Sequence, residues 1–281
     1  MSSPRACVIG HPIAHSRSPL IHKFWLAERG LTGDYVQEDV RPESIDAFLE
    51  AFPSSGYVGA NVTVPYKETV FRAVAEADQV ARSLGAVNLL WVENGRLFGA
   101  NSDVYGFLAQ LDERLPGWGE RIQQVVVLGA GGAARAVLHG LIERGVPRIT
   151  LVNRTPERAE ALADRFARGV TPKSFAELPA SLRGADLLIN ATSLGMKDMP
   201  PLNLDLGPLK RGAAVYDIVY VPLETELLKA ARARGHPVVD GLGMLLHQAV
   251  PAFERFFGAR PEVTPALRKH VADDLAAEAR A

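Results

Sequence analysis

The stretch Val125-Val126-Val127-Leu128-Gly129-Ala130-Gly131-Gly132-Ala133-Ala134 constrains the fold more than any other part of the chain. An apolar, β-branched run stops at glycine, and a helical pattern follows from Ala133 to Arg144. Strand, glycine turn and helix in that order open a dinucleotide-binding βαβ unit of the form G-x-G-x-x-A. Gly129 permits the tight turn, and Gly131 lets the backbone approach a pyrophosphate. Ala134 is small enough for the helix to pack closely on the strand. Ala130, Gly132 and Ala133 complete the cradle, where the free N–H groups of the helix start face phosphate oxygens.

The end of the next strand indicates which dinucleotide. Ile149–Val152 reads as strand two of this unit, and NAD-binding units usually end it with an Asp or Glu on the ribose 2′-OH. Here Asn153-Arg154-Thr155 stands at that point, with Arg158 four residues beyond Arg154. A carboxylate would repel a 2′-phosphate, whereas an amide beside two guanidinium groups attracts one. The expected cofactor is therefore NADP. The plainer alternative is an ordinary βα turn followed by a basic surface loop.

A chain of 281 residues has room for two cores. Its 47% hydrophobic and 22% charged content is that of a globular enzyme, and a net charge of −1 leaves no electrostatic footprint for nucleic acid. No apolar run reaches the length of a membrane span, and the N-terminus leads into a strand, not a signal sequence. Cys7 is alone and reads as a buried small hydrophobe. The seven histidines fall in no metal-binding pattern; His11 and His15 are separated by Pro12, so no metal is expected. A cytoplasmic protein with a small-molecule substrate fits, as monomer or homodimer.

Strands are expected at Ala6–Ile9, Tyr35–Val40 and Tyr57–Val64, alternating with helices at Pro19–Arg29 (Ser18 as N-cap) and Glu43–Phe52. A helical stretch from about Lys67 to Leu84 follows. Val87–Val92 and Arg96–Ala100 flank the hairpin signal Asn94-Gly95. Beyond the glycine turn, further strands are expected at Leu187–Ala191, Ala214–Tyr220 and Val238–Asp240, in the order 3-2-1-4-5-6. The fold class is α/β, with two domains and a cleft between them. Residues 107–239 form a Rossmann domain for NADP. Residues 1–106, completed by C-terminal helices within 240–281, form a substrate domain with a mainly parallel sheet.

Polar clusters sit at the predicted strand ends. Ser16 and Ser18 precede a helix start, where their hydroxyls either cap the helix or hold a carboxylate ligand. Asn61 and Thr63 alternate along a strand stopped by Pro65, and Lys67 follows. Asn88 and Asn101-Ser102-Asp103 repeat the theme. Singly, each reads as a solvated face; together they read as a ligand site at the strand ends of an α/β sheet.

In these pieces the chain resembles the shikimate dehydrogenase family over nearly its whole length. The matches run from Gly10-His-Pro12 and His15-Ser-Arg-Ser-Pro19 through Asn61-Val-Thr-Val-Pro-Tyr-Lys67, Gly85-Ala-Val-Asn88 and Asn101-Ser-Asp103. They continue in Gly129-Ala-Gly-Gly-Ala133, Asn153-Arg-Thr155, Asp217-Ile-Val-Tyr220-Val-Pro222 and Gly241-Leu-Gly-Met-Leu-Leu-His-Gln248. The resemblance implies NADP-dependent, reversible oxidation of shikimate to 3-dehydroshikimate, on the route to chorismate and aromatic amino acids. It implies Lys67 and Asp103 as the catalytic pair. Ser16, Ser18, Asn61, Thr63, Asn88, Tyr220 and Gln248 would surround the substrate, and Ile218 and Gly241 would join the cofactor set. Lys67 would carry the hydroxyl proton or orient the substrate as a donor, with Asp103 orienting the amine.

The chain departs from the family pattern in two places. Ser102 and Val104 flank Asp103 where Thr and Gly are usual, and Tyr66 stands where His is frequent. Competing readings are a quinate/shikimate paralogue using NAD and a non-catalytic dinucleotide sensor. The first conflicts with Asn153-Arg154, and the second needs no Lys67–Asp103 pair.

Overall fold

The computed structural model describes residues 3–166 and 169–278. The chain divides into two compact units, one of residues 1–103 and 246–271, the other of 104–245 and 272–281.

The first unit holds β1 (Arg5–Gly10), α1 (Ser18–Glu28), β2 (Asp34–Asp39), α2 (Ile45–Ala51), β3 (Tyr57–Val62), α3 (Lys67–Ala73), β4 (Glu76–Ala77), α4 (Gln79–Leu84), β5 (Leu89–Glu93) and β6 (Arg96–Ala100). Its sheet has the order β2-β1-β3-β5-β6-β4. β1 runs parallel to β2 and β3, and β5 is antiparallel to β3 and β6. The hairpin turns at Asn94 and Gly95, both at positive φ (51° and 72°), the backbone that an Asn-Gly pair supplies most cheaply. Cys7, Ile9, Ala60 and Val62 project into one core with Leu49, Phe52 and Val70. The opposite face, Ala6, Val8 and Leu89, is closed by Ala252 and Phe256 of a C-terminal helix.

α5 (Asp103–Arg114) and the short α6 (Trp118–Arg121) lead into the second sheet. Its elements are β7 (Gln124–Leu128), α7 (Gly132–Glu143), β8 (Arg148–Asn153), α8 (Pro156–Arg165), β9 (Val170–Ser174), α9 (Leu178–Leu182), β10 (Leu187–Asn190), β11 (Ala214–Asp217), α10 (Glu226–Ala233) and β12 (Val238–Val239). All pairings are parallel, in the order β12-β11-β10-β7-β8-β9, which is the expected 3-2-1-4-5-6. Val125–Leu128 is wholly buried, as a strand covered on both faces requires. α11 (Leu242–Phe257) and α12 (Pro265–Glu278) complete the described chain; the last three positions of the 240–281 segment expected to hold C-terminal helices lie outside the described residues.

Several expectations need correction. The helix expected over 67–84 is two helices parted by β4, because Val74 is extended, β4 pairs with β6, and the Asp78 side chain caps α4 by accepting from Ala81 N at 2.6 Å. Ser18 is not the N-cap of α1; Arg17 takes that position with no side-chain cap, and Ser18 is already helical. β3 ends at Val62, so Thr63 lies in the turn beyond the strand. The first strand and helix of the 34–52 segment shift slightly, Pro42–Ser44 forming a 3₁₀ turn before α2. β11 stops at Asp217, leaving Ile218 and Tyr220 in a loop. β9 went unrecognised: Val-Thr-Pro-Lys-Ser lacks a strand pattern, and its Pro172 is tolerated because β9 is an edge strand.

Candidate active site

In both sheets the chain reverses its direction of strand addition after the opening βαβ segment, and ligands in open α/β sheets bind outside the carboxyl ends of strands at such a point. In the first unit that point lies between β1 and β3. Gly10 ends β1 so close to the β3 turn that a Cβ would lie 2.6 Å from Thr63 Cγ2. Thr63 N donates to Ile9 O (3.0 Å) and His11 N to Val64 O (3.2 Å), which bind the two strand ends together. The loop after β1 carries Ser16, whose Oγ accepts from Ser18 N at 3.3 Å. Gln37 of β2 holds that loop from outside, its Nε2 donating to Ser16 O at 2.9 Å.

Lys67 and Asp103 each begin a helix, α3 and α5. An aspartate in a first helical turn is favoured by the helix dipole. Lys67 Nζ donates to Asp103 Oδ2 at 2.5 Å, with side chains 29% and 15% exposed, so the pair is sheltered yet reachable. Asn88 Nδ2 donates to the other carboxylate oxygen at 2.8 Å. The Asn88 carbonyl accepts from Ser102 N (2.8 Å) and Ser102 Oγ (3.2 Å), so the amide orientation is set from behind. Asn101 Oδ1 accepts from Asp103 N at 2.9 Å, and Val87 N donates to Lys67 O at 2.9 Å. The sequence-predicted Lys67, Asn88 and Asp103 thus form one hydrogen-bonded cluster, held by Ser102 and Asn101.

Asn61 is only 5% exposed. Its Oδ1 accepts from Tyr35 OH at 2.7 Å and its Nδ2 donates to Asn88 O at 3.4 Å. Tyr35, fully buried on β2, escaped the sequence reading because an aromatic in a strand signals only core. The two departures from the family pattern are absorbed by packing. Val104 is buried, and Tyr66 is a core residue whose hydroxyl donates to Val40 O at 2.5 Å. Gln248 lies on α11 in the first unit and Tyr220 in the loop after β11 in the second, both half-buried.

In the second unit the reversal lies between β7 and β10. Gly129 has φ +101° and donates its N–H to Val152 O at 2.8 Å. A Cβ on it would lie 2.9 Å from Ala191 O, so only glycine fits. Gly131 caps α7 without a side-chain cap bond, and Cβ positions on Gly131 and Gly132 would meet open space. With Ala130 and Ala133 beside them, these residues leave a shallow, uncapped helix start whose N–H groups suit a pyrophosphate. Ala134 is fully buried against the sheet.

Asn153 ends β8, and its Nδ2 donates to Thr155 O at 2.8 Å. Arg154 and Arg158 are exposed around the start of α8, where cations are disfavoured by the helix dipole unless an anion joins them. Gly241 N donates to Val219 O at 3.2 Å, and a Cβ on Gly241 would overlap Ile218 O. Among the described residues, no group of three or more His, Cys, Asp or Glu could hold a metal ion, and no helix is long and apolar enough to cross a membrane.

A glycine-turn Rossmann unit joined to an α/β unit with a sheltered Lys–Asp pair defines a nicotinamide-dependent oxidoreductase. Family profiles match residues 8–90 (shikimate dehydrogenase substrate binding domain), 117–196 (shikimate / quinate 5-dehydrogenase) and 241–269 (shikimate 5′-dehydrogenase C-terminal domain). The shikimate dehydrogenase (NADP(+)) of Azorhizobium caulinodans is 56% identical over 274 residues, 98% of each chain. That of Chelativorans sp. is 53% identical over 273 residues, 97% of each. Among solved structures, the Thermus thermophilus shikimate 5-dehydrogenase in complex with NADP(H) and shikimate aligns with TM-score 0.83 at 36% identity, covering 97% of this chain and 99% of that one. The Corynebacterium glutamicum quinate dehydrogenase in complex with NAD aligns with TM-score 0.89 at 34% identity, covering 96% and 99%. The chain belongs to the shikimate dehydrogenase family.

Proposed function

We propose that the protein is an NADP-dependent shikimate dehydrogenase that interconverts shikimate and 3-dehydroshikimate, working physiologically toward reduction. The observation that carries this reading is the Lys67–Asp103 pair with Asn88 on the second carboxylate oxygen, in the segment matched by the substrate-domain profile or next to it. A polyol acid needs hydroxyl-directed groups and one proton carrier, and this cluster supplies both.

In reduction, Lys67 Nζ gives a proton to the oxygen of the substrate's ketone as that carbon gains a hydride; in oxidation the proton returns. Asp103 holds the ammonium in place and retains lone pairs for a neighbouring substrate hydroxyl, since Lys67 and Asn88 occupy only part of its acceptor capacity. Ser16 and Ser18 receive the substrate carboxylate. Thr63, Tyr220 and Gln248 address its hydroxyls, and Asn61 contributes the N–H that Asn88 O leaves free. Gly129, Ala130, Gly131, Gly132 and Ala133 hold the pyrophosphate of NADP. Asn153, Arg154, Thr155 and Arg158 hold its 2′-phosphate end, with Ile218 and Gly241 lining the remainder. Bound NADP supplies hydride donation and acceptance at its nicotinamide ring.

We further assign the protein to the cytoplasm as a monomer or homodimer. Its single cysteine is buried and burial pushes the thiol pKa up, so no oxidising compartment is called for. Residues 107–239 are taken as the cofactor domain and residues 1–106 with 240–281 as the substrate domain, although residues 104–106, 240–245 (with Gly241) and 272–281 cluster with the second unit. Steady-state rates at the reduced-nicotinamide absorbance band, with shikimate or quinate and NADP or NAD, test the reading. Shikimate with NADP should be the fastest pair. Equal turnover of quinate with NAD would make the protein a quinate-type paralogue, and cofactor binding without turnover would make it a sensor.

A further inference from the structure

Two strands of the second unit end in polar residues that no solvent reaches. Asn190 closes β10 and Asp217 closes β11, each 0% exposed and paired in register across the sheet. Asn190 Nδ2 donates to Asp217 Oδ1 at 2.9 Å and to Leu194 O at 3.1 Å. Asn190 Oδ1 accepts from Thr192 N (3.0 Å) and Thr192 Oγ1 (2.7 Å). Asp217 Oδ1 also accepts from Val219 N (3.1 Å), and its Oδ2 accepts from Thr225 Oγ1 (2.7 Å). Apart from the bond that joins the pair, each leads into one of two loops, 191–195 after β10 or 218–225 after β11. Lys197 N closes them on each other through Val221 O at 2.7 Å.

The position of these loops gives them a task. The glycine turn after β7 marks the pyrophosphate, and Asn153-Arg154 after β8 marks the adenosine side. A dinucleotide crossing the sheet at its reversal point must lay its other half over the carboxyl ends of β10 and β11. The 191–195 loop also touches the glycine turn, with Thr192 Cγ2 2.9 Å from where a Gly129 Cβ would stand.

We propose that the buried Asn190–Asp217 pair, with Thr192 and Thr225, sets the two loops that receive the nicotinamide half of the cofactor. Asn190 and Asp217 are then positioning residues for hydride transfer. The inference rests on the NADP reading above. A neutral, solvent-exposed loop pair would do for mere chain reversal; a fully bonded buried network fixes one loop geometry, as a hydride donor held to within a fraction of an ångström requires.

The test is Asp217→Asn, which keeps shape, measured by calorimetric binding of adenosine 2′,5′-bisphosphate and by steady-state kinetics of the full chain. The expected result is adenosine 2′,5′-bisphosphate affinity within about twofold of the unaltered protein and kcat lower by about 10–100-fold. An unchanged kcat, or equal losses in both readouts, overturns the proposal. If Asp217→Asn does not fold, Thr192→Val removes only one hydroxyl from the network and is judged by the same two readouts. Failure of the unaltered protein to bind adenosine 2′,5′-bisphosphate would instead bring down the NADP reading, a separate outcome.

Discussion

At the scale of single residues, chemistry concentrates on one carboxylate. Asp103 receives Lys67 on one oxygen and Asn88 on the other, so neither partner can change without moving it. Lys67→Ala should lower kcat by about 10²–10⁴-fold, the usual contribution of a positioned acid–base group. Affinity for NADP should hardly change, because the cofactor residues assigned above belong to the other compact unit. Asp103→Asn should slow turnover and raise KM for shikimate. The double variant should lose little more than either single one, since the two act as a unit. Near-normal kcat in Lys67→Ala would transfer the proton to another group. The residues of this cluster were legible in the sequence as strand-end polar motifs. Their support was legible only in part: Ser102 stands in the strand-end motif beside Asp103, but Tyr35 reads as core until the fold brings its hydroxyl to Asn61.

At the scale of elements, the glycine turn, the Asn-Gly hairpin and the strand alternation were readable because each is written in local backbone preference. Element ends were less so. The expected long helix from Lys67 breaks at Val74–Asp78 because a tertiary pairing, β4 on β6, captures residues with no strand pattern of their own. β9 is hidden for the same reason. Asp78 marks the restart, and Asp78→Ala should cost about 1 kcal/mol of stability in urea unfolding, as loss of an N-cap does. α8 behaves differently. Arg154 and Arg158 at its start oppose the helix dipole by a few tenths of a kcal/mol to about 1 kcal/mol each. Arg158→Ser should therefore leave melting temperature unchanged or slightly higher, while the preference for NADP over NAD erodes by about tenfold or more. A variant that loses stability yet keeps its preference would place the 2′-phosphate elsewhere.

At the scale of the whole molecule, the order of the second sheet followed from βαβ handedness and the placement of one glycine turn. The first unit carries a property that sequence does not disclose. His22, inside α1, is fully buried, stacked on Tyr35 with ring centroids 4.0 Å apart and 5.8 Å from Phe253. Neither ring nitrogen has a hydrogen-bond partner among the described residues. Burial holds its pKa down at about 3, against 6.5 for a free imidazole. Between those values the unfolded chain binds a proton that the folded one refuses, so stability rises with pH across the window and falls on acidification. The slope is about 1.4 kcal/mol per pH unit, or about 2 kcal/mol lost from this residue by pH 5. Asp217 acts in the opposite sense: burial raises its pKa against the hydrogen bonds from Thr225, Val219 and Asn190, so acidification relieves the cost of its buried charge. Comparison with His22→Leu cancels that contribution. The leucine sacrifices ring stacking but no hydrogen bond, so the variant should be less stable at pH 7 and yet lose less on going to pH 5. Urea unfolding followed by tryptophan fluorescence reads this directly, because Trp25 lies edge-on to His22 with ring centroids 6.0 Å apart. Equal pH slopes in the two proteins would mean that His22 takes up its proton in the folded state, and the acid sensitivity would then belong to other groups.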